Sequence, residues 1–349
     1  MSDERRRMAG GLDYRHGRIE LWHGSGGRAM AQLIEELFET SFDNPFLARR
    51  NDQACFEVGA GRLVMTTDGF VIAPLFFPGG DIGCLAVHGT INDIAMAGAR
   101  PLYLAVAMII EEGFPLAELK AIVASMAAAA KAAGVAIVTG DTKVVERGKG
   151  DGIFITTTGV GVVPTGVEIS AERARPGDAV LLSGSIGDHG VAVLSKRESL
   201  AFETELRSDC ASLHDLVARM VEAVPGIHAM RDPTRGGLAA LLNEIAQQSQ
   251  VGIALNEDAI PVAPAVRGAC ELLGLDPLYV ANEGKLVAFC PAEDAERLLA
   301  AMRAHPLGRD AAQIGTVVED DRHFVQMQTS FGGHRIVDWL AGDQLPRIC

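Results

Sequence analysis

The order of strand-like and helix-like segments is the feature that most constrains the fold of this chain. In the first half, apolar periodicity predicts strands over 62–67, 102–110, 135–139 and 153–163, and helices over 85–97 and 116–133. The two kinds of element are mixed, but they do not follow a strict strand–helix–strand alternation. An α+β class is therefore favoured.

A second unit begins near the turn Arg175-Pro176-Gly177-Asp178. Strands are predicted there over 179–182, 278–281, 286–289, 313–318 and 323–327, and helices over 213–224, 237–248, 265–273 and 292–304. The 349 residues are long enough for two domains. We predict an N-terminal extension, two domains and a flexible C-terminal tail, over 1–22, 23–170, 171–335 and 336–349.

Composition narrows the class of function. The formal net charge of −14 argues against a nucleic-acid partner. The apolar runs are too short to span a bilayer, and the charged first seven residues lack the apolar segment of a secretory signal. None of the six cysteines forms a CxxC pair, so the spacing indicates neither a zinc site nor a disulfide framework. Reduced thiols favour a cytoplasmic protein.

Three aspartates share one kind of setting. Asp68 and Asp141 end predicted strands beside a glycine, and Asp93 closes the segment Gly89-Thr90-Ile91-Asn92-Asp93. Each alone is explained by a turn, since Asp-Gly is common in turns. Together they favour Mg²⁺, which prefers oxygen ligands and bridges to phosphates. Asp81 either joins this cluster or caps the helix that follows it.

Glycine-rich segments suggest where phosphates bind. Gly24-Ser25-Gly26-Gly27 precedes a predicted helix, whose first backbone amides attract anions, although no Walker lysine follows. The segment Asp232 to Gly237 is either a capped helix start or a loop that places Arg235 near a phosphate. Glu283 lies in Asn-Glu-Gly, which is either a hairpin turn or the site of a base facing the nucleotide. His189, beside a glycine turn, is interpreted as a loop histidine.

The chain ends in Pro346-Arg347-Ile348-Cys349. A thiol on a terminal residue has little use in packing, because chain ends usually fray. It is either a chance surface cysteine or the carrier of a covalently attached group on a swinging arm. A tail of 14 residues can reach about 45 Å when extended, at roughly 3.3 Å per residue.

These motifs resemble the AIR-synthetase-like, or PurM-like, ATP-binding superfamily, and within it the HypE family of hydrogenase maturation factors. The resemblance runs from residue 23 to the end, through HGSGG (23–27), the segment 66–101, TGDTKVVERG (139–148), DPTRGGL (232–238), NEGKL (282–286) and PRIC. It implies a two-domain α+β subunit that dimerises through its first domain and binds ATP between the domains.

The resemblance also implies roles for individual residues. It assigns Mg²⁺ to Asp68, Asp93 and Asp141, with Asp81 as a further ligand. Thr142 and Lys143 match positions beside the phosphates, together with the 23–27 loop, Asp232 and Arg235. Glu283 matches the residue that acts on the substrate nitrogen. Cys349 matches the thiol that receives a carbamoyl group from HypF and passes cyanide to iron on a HypC–HypD complex.

Two other functions are compatible with parts of the pattern. Other PurM-like enzymes, such as aminoimidazole ribonucleotide synthase, thiamine-phosphate kinase and selenophosphate synthetase, phosphorylate small molecules, but they have no use for a terminal cysteine. A non-catalytic scaffold that holds iron through Cys349 would require further thiol or imidazole ligands. An ATP-dependent carbamoyl dehydratase explains both the motifs and the tail.

Overall fold

The computed structural model describes residues 27–33, 35–36, 54–58, 61–199, 206–340, 342 and 345–349. Its first domain contains α1 (Arg28–Leu33), β1 (Ala54–Val58), β2 (Gly61–Phe70), β3 (Phe76–Phe77), β4 (Gly80–Asp81), α2 (Ile82–Met96), β5 (Arg100–Glu111), α3 (Leu116–Ala132), β6 (Ala136–Val145) and β7 (Ile153–Val163). Five strands form one sheet in the order β1-β2-β7-β5-β6. Only the β5–β6 pair is parallel.

The second domain is built on a larger mixed sheet. Its elements are β8 (Ala179–Leu182), α4 (Asp188–Arg197), α5 (His214–Ala223), β9 (Ala229–Arg231), α6 (Gly237–Ser249), β10 (Gly252–Asn256), α7 (Pro264–Leu273), β11 (Val287–Cys290), α8 (Ala295–Arg303), β12 (Ala312–Val318), β13 (Val325–Gln328) and β14 (His334–Ile336). Seven strands lie in the order β14-β13-β10-β12-β8-β11-β9. Every residue of the interior strand β8 is buried, as its unbroken apolar sequence predicts.

Two glycines in β7 let α2 lie close against the first sheet. A Cβ at Gly159 would stand 2.5 Å from Ile94 Cδ1, and a Cβ at Gly161 would stand 2.5 Å from Ile94 Cγ2. The strand can therefore carry no side chain at these two positions on the face that contacts α2. This close approach fixes the helix that carries Asn92 and Asp93 over the sheet.

The two domains share their apolar cores. One buried cluster joins Phe70 and Leu85 of the first domain to Val191 and Val280 of the second, and it includes Ile348 of the tail. A second cluster joins Ile94 and Met96 to α5 and α8. Because apolar surface from both domains is buried together, their relative position is set by packing rather than by a linker alone.

The α+β class is confirmed, but several element boundaries differ from the sequence prediction. The predicted strand 278–281 is wrong, because Pro277–Tyr279 forms a 3₁₀ turn capped by the Asp276 side chain. Asp68 and Asp141 do not end their strands, since β2 runs to Phe70 and β6 runs to Val145. Hydrogen bonding to the neighbouring strands continues past both aspartates.

Candidate active site

The segment 282–285 connects three loops of the second domain. Asn282 Oδ1 accepts a hydrogen bond of 2.7 Å from the Gly187 amide, before α4. Its Nδ2 donates to the carbonyl oxygen of Pro233 at 2.8 Å, before α6. Asn282 is 1% exposed, and its side-chain amide hydrogen-bonds backbone groups of two neighbouring loops. Glu283 is thereby held on a rigid support.

Asp209 supports the same segment from the other side. Its carboxylate accepts hydrogen bonds from the amides of Glu283 at 3.0 Å and Gly284 at 3.2 Å, and from Lys285 Nζ at 3.0 Å. A Cβ at Gly284 would stand 1.8 Å from the Asp209 carbonyl oxygen, so only glycine fits there. The Asp209–Lys285 ion pair and the two hydrogen bonds from the backbone amides hold the segment around Glu283 in place.

Asn92 of α2 ties this region to the first domain. Its Nδ2 donates to the carbonyl oxygens of Ala211 at 3.0 Å and Glu283 at 3.2 Å, and its Oδ1 accepts from the Leu213 amide at 2.8 Å. The asparagine beside Asp93 therefore positions Glu283 across the domain boundary.

Glu283 is a buried carboxyl with an unsatisfied oxygen. The side chain is 4% exposed, and Oε1 has no hydrogen-bond partner in the described part of the chain. Burial raises the pKa of Glu283 well above its ordinary value, and the nearby carboxylates of Asp232, Asp209 and Asp68 raise it further, against an opposing effect from Arg235. A carboxyl of raised pKa is a strong proton acceptor once it ionises, which suits a general base.

The C-terminal residues are docked between the two domains. The Val71 amide donates to the Cys349 carbonyl oxygen at 3.1 Å, and the Ala73 amide donates to the Arg347 carbonyl oxygen at 3.2 Å. Between them, Ile348 is 3% exposed within the shared core. The described end of the predicted flexible tail is therefore seated alongside the segment 71–73, with the side chains of Leu345 and Ile348 buried.

The docked tail brings the Cys349 thiol to the predicted site residues. Burial raises the pKa of Cys349 above the ordinary thiol range; Arg235 opposes this effect, and the carboxylates of Glu283, Asp68 and Asp232 add to it. These electrostatic interactions require the named groups to lie close to the sulfur. In the docked state the thiol is held neutral.

Arg235 links the thiol to the aspartates of the first domain. The pKa of Arg235 is raised first by its interaction with the Cys349 sulfur and also by the carboxylates of Asp68, Glu283 and Asp93, against an opposing effect of burial. Arg235 follows directly on Asp232-Pro233-Thr234, and the left-handed residues Gly236 and Gly237 turn the chain from it into α6. The predicted helix start is present, although without a side-chain cap, and the placement of Arg235 near a phosphate stays a prediction.

Asp68 and Asp93 occupy neighbouring elements at this boundary. An Asp93 oxygen accepts a hydrogen bond of 2.9 Å from the Thr66 hydroxyl of β2, and Asp68 accepts one of 2.7 Å from the Gly69 amide. Their oxygen donors are of the kind that Mg²⁺ prefers.

Asp141 and Lys143 lie farther along the first sheet. Strand register places Asp68 opposite Thr157, Thr157 opposite Val106, and Val106 opposite Gly140, so three strand spacings, or about 14 Å, separate β2 from β6. Mg²⁺ binds oxygens at about 2.1 Å. One ion cannot therefore contact both Asp68 and Asp141 of the same chain. Lys143 Nζ instead pairs with Asp141 at 2.7 Å, and both side chains are exposed.

Known proteins resemble this chain along nearly its whole length. Residues 50–163 match the N-terminal domain model of AIR synthase related proteins, and residues 175–328 match the C-terminal domain model. The carbamoyl dehydratase HypE of Cupriavidus necator is 70% identical over 339 residues, which cover 97% of each chain. The chain belongs to the HypE family.

Solved structures of HypE proteins have the same fold. A HypE in complex with ATP is 52% identical with a TM-score of 0.81, covering 95% of this chain and all of the other. The HypE of a HypE–HypF complex is 50% identical with a TM-score of 0.84, covering 88% of this chain and 99% of the other. The PurM-like fold predicted from the motifs is confirmed.

Two predicted site features of this HypE-family chain have other structural roles as well. Asp81 caps α2, with Oδ1 accepting from the amides of Gly83 at 2.7 Å and Cys84 at 3.2 Å. The 23–27 loop is described only at Gly27, where a Cβ would stand 2.7 Å from the Leu340 carbonyl oxygen. Gly24, Ser25 and Gly26 lie outside the described residues, as does the side chain of Thr142. Their nucleotide roles stay predictions.

Sequence reasoning missed the residues that hold the HypE-type tail. His189 is not a loop residue, because it lies fully buried in the first turn of α4. Its Nδ1 contacts the Ser208 hydroxyl at 2.8 Å and its Nε2 contacts the Ile348 carbonyl oxygen at 2.8 Å. Arg197, from the end of the same helix, donates to the carbonyl oxygens of Ala73 at 2.6 Å and Arg347 at 2.8 Å. The sequence signal for both is an ordinary helix, and only the docked tail reveals their partners.

No helix within the described ranges combines the length and the apolar character that crossing a membrane requires.

Proposed function

We propose that this protein is an ATP-dependent carbamoyl dehydratase of [NiFe]-hydrogenase maturation, which converts a carbamoyl group on the Cys349 sulfur to a thiocyanate. The observation that carries the proposal is the seating of the terminal thiol among Glu283, Arg235, Asp68 and Asp232. A chance surface cysteine would not be half-buried beside a buried carboxyl and an arginine. The HypE name shared by the relatives supports the same reaction.

The reaction balances as S–C(=O)NH₂ plus ATP giving S–C≡N, ADP and inorganic phosphate. The nitrogen loses two protons, the carbon–oxygen bond breaks, and the carbamoyl oxygen leaves with the phosphate. ATP supplies the activation when bound, because phosphate is a far better leaving group than hydroxide. The protein must therefore accept protons at nitrogen and hold the oxygen toward the nucleotide.

Glu283 is the proposed proton acceptor. Its Oε1 has no hydrogen-bond partner among the residues that the structure describes, so it is available to an N–H of the substrate. The amides of Glu283 and Gly284 are fixed by Asp209, which limits the motion of the carboxyl. Placement of this kind removes the need to organise the base during the reaction.

The docked pocket suits the carbamoyl thioester better than the free thiolate. Burial disfavours an ionised Cys349, as its raised pKa indicates, whereas a carbamoyl thioester is neutral. The tail would therefore be loaded while undocked, where the thiol has its ordinary acidity. It would then dock with its substrate and undock to deliver the product.

The oxygen donors at the domain boundary fit Mg·ATP. Asp68 and Asp93 would hold the ion, and Arg235 would face the phosphates, while Gly24 to Gly27 would cover the nucleotide. The HypE solved with ATP supports nucleotide binding in this fold. A charge-balanced site of metal and arginine stabilises negative charge on the transferred phosphoryl group.

We propose that Asp141, Thr142 and Lys143 act through a homodimer. Strands β5 and β6 carry large apolar side chains that are 38% to 68% exposed: Tyr103, Ile109, Ile137, Val138 and Val144. An open groove of about 510 Å³ on the same strands includes Asp141 in its lining. A second copy covering this surface would remove apolar area from water and bring the Asp141–Lys143 pair toward the partner's nucleotide.

A mixed dimer tests this arrangement. The variants K143A and C349A should each be inactive alone, whereas their mixed dimer should recover activity at the one site with both residues intact. Recovery requires Lys143 and Cys349 to come from different subunits. If the mixed dimer forms and stays inactive, the pair acts within its own chain.

The proposed partners follow from the family. HypF would donate the carbamoyl group, as the solved HypE–HypF complex suggests, and a HypC–HypD complex would accept the cyanide in the cytoplasm.

Mass spectrometry of the C-terminal peptide tests the central claim. After carbamoylation by HypF, addition of Mg·ATP should remove the mass of one water from the Cys349 peptide, and C349A should show neither change. The variant E283Q should accept the carbamoyl group and retain it. ATP-dependent turnover of a small acceptor by C349A, with no change on the wild-type tail, would instead favour a small-molecule kinase of the same superfamily.

A further inference from the structure

Two cysteines and a histidine meet at the domain boundary, outside the proposed catalytic site. Cys84 and His88 lie one turn apart near the start of α2, and Cys210 comes from the segment before α5 in the second domain. One potential ligand atom from each side chain lies within 4.8 Å of the other two. Cys84 and Cys210 are separated by 126 positions in sequence, so no short spacing motif predicts the cluster.

We propose that Cys84, His88 and Cys210 form a binding site for a zinc ion. Two thiols and one imidazole are the ligand types that zinc takes in proteins, and three protein ligands leave the fourth tetrahedral position to a water. The ligands come from both domains. This site goes beyond the proposed dehydratase activity and does not depend on it.

The cluster has nearly the dimensions that zinc requires. Zinc binds sulfur at about 2.3 Å and nitrogen at about 2.0–2.1 Å, so tetrahedral ligand atoms lie roughly 3.5–3.8 Å apart. The observed separations of at most 4.8 Å need only small side-chain movements to close on an ion. All three side chains are half-buried, which leaves a path for entry.

Neighbouring groups already orient the ligands. The Ser212 hydroxyl contacts His88 Nδ1 at 2.6 Å. The Cys210 amide donates to the Ser208 hydroxyl at 3.1 Å, and the Asp81 amide approaches Cys84 Sγ at 3.3 Å. Contacts of this kind fix the orientation of metal ligands.

The two proposed metal sites have different chemistry. Asp68 and Asp93 present carboxylate oxygens, which suit Mg²⁺, whereas Cys84 and Cys210 present sulfur, which Mg²⁺ does not favour. The zinc site would therefore remain selective in the presence of Mg·ATP.

A bound zinc ion would fasten the second domain to the first behind Glu283. Asp209 adjoins the ligand Cys210 and holds the amides of Glu283 and Gly284. Asn92 lies one turn beyond the ligand His88 and donates to the Glu283 carbonyl oxygen. Zinc would thus act as a positioning element for the proposed base rather than as a reactant.

Metal analysis tests the proposal on the full chain. The variant C349A is used as the parent, so that the tail thiol cannot contribute a ligand. After equilibration with zinc and gel filtration, the parent should retain one zinc per chain and melt at a higher temperature than the metal-free protein. Cobalt(II) should give the visible and near-ultraviolet bands of a tetrahedral thiolate site.

Variants locate the ion. C84S or C210S in the same parent should weaken zinc binding by at least about 100-fold, because loss of even an outer-shell partner costs about 10–100-fold. Loss of the hydroxyl in S212A should weaken it by about 10–100-fold. The matched control is C270S, which removes a buried cysteine outside the cluster and should leave zinc binding unchanged.

Three results would overturn the proposal. The parent could retain no zinc and give no cobalt–thiolate bands, or C270S could reduce binding as much as C84S. The third is a Cys84–Cys210 disulfide that forms in air, with two electrons passing to oxygen, at the same rate with and without zinc. Because each readout concerns metal or thiols, a negative result leaves the dehydratase proposal to its own test.

Discussion

Replacement of Ile348 by alanine tests how the tail is held. Ile348 is 3% exposed and belongs to the apolar core shared by the two domains. The carbonyl oxygen of residue 348 contacts His189. Because alanine keeps this backbone group, I348A removes the apolar side chain and leaves that hydrogen bond in place. The docked state should lose stability relative to the undocked state, while the rest of each domain keeps its packing.

The magnitude follows from the three carbons that alanine lacks. At about 0.8 kcal/mol for each buried CH₂ group, their loss costs about 2.4 kcal/mol before any cavity effect. Since about 1.4 kcal/mol corresponds to a factor of ten, the docking equilibrium should fall by about 50-fold. I348V removes one carbon and should lower it by about fourfold.

The assay is the rate at which a thiol reagent labels Cys349, followed by peptide mass spectrometry. The docked Cys349 is half-buried and its pKa is raised, so labelling proceeds mainly from the undocked tail. We expect labelling to accelerate by about 50-fold in I348A and by about fourfold in I348V. The matched control is I336A, because Ile336 is 53% exposed and its loss should leave the rate unchanged.

The reasoning would be refuted by equal labelling rates in I348A and wild type. Such a result would mean that burial of Ile348 does not hold the tail, or that the tail spends most of its time undocked. The buried Cys290 serves as an internal reference, since faster labelling there would indicate general unfolding rather than release of the tail.

Three further predictions concern charge, backbone space and the tail anchor. Stability from protonated Glu283 is fully present below the ordinary carboxyl pKa of 4.5 and is lost as pH rises toward its raised folded pKa. The melting temperature of E283Q should therefore increase relative to that of wild type as pH rises above 4.5, and a difference that stays constant with pH would contradict this. G83A should lower the melting temperature, because its Cβ would meet the Ile122 carbonyl oxygen at 2.4 Å. At Gly268 in α7 a Cβ would meet no atom within 4 Å, so G268A should raise the free energy of unfolding by up to about 1 kcal/mol through helix propensity. Calorimetry that ranks the two variants in the opposite order would refute the packing argument. R197K should label faster at Cys349, because lysine cannot reproduce the forked donation to Ala73 and Arg347, and an unchanged rate would remove Arg197 from the anchor.

Local patterns were good guides to regular elements. The strand 153–163 and the strand 179–182 were predicted with their observed bounds, because alternating or continuous apolar runs have few other uses. The prediction failed at 278–281, where Pro277 and the Asp276 cap favour a 3₁₀ turn despite an apolar sequence. It also ended β6 too early, since pairing with β5 carries the strand past Gly140 and Asp141.

Some residues of the candidate site were identified from the sequence, and others were found only in the structure. Motifs identified Glu283, Arg235 and the aspartates as residue types suited to phosphate and proton chemistry. They did not identify His189 or Arg197, whose roles arise only when the tail lies against α4. Nor did they separate Asp141 from Asp68, because that separation depends on the order of strands in the sheet.

The sequence by itself determined the α+β class, the two-domain division, the family and a thiol at the end of the chain. These properties depend on short-range periodicity and on residue types at fixed spacings. Only the tertiary structure decided that Cys349 lies half-buried beside Glu283, that Asp209 fixes that glutamate, and that Cys84, His88 and Cys210 meet. Each of these contacts joins residues far apart in the chain, and burial and charge act through distance in space rather than through position in sequence.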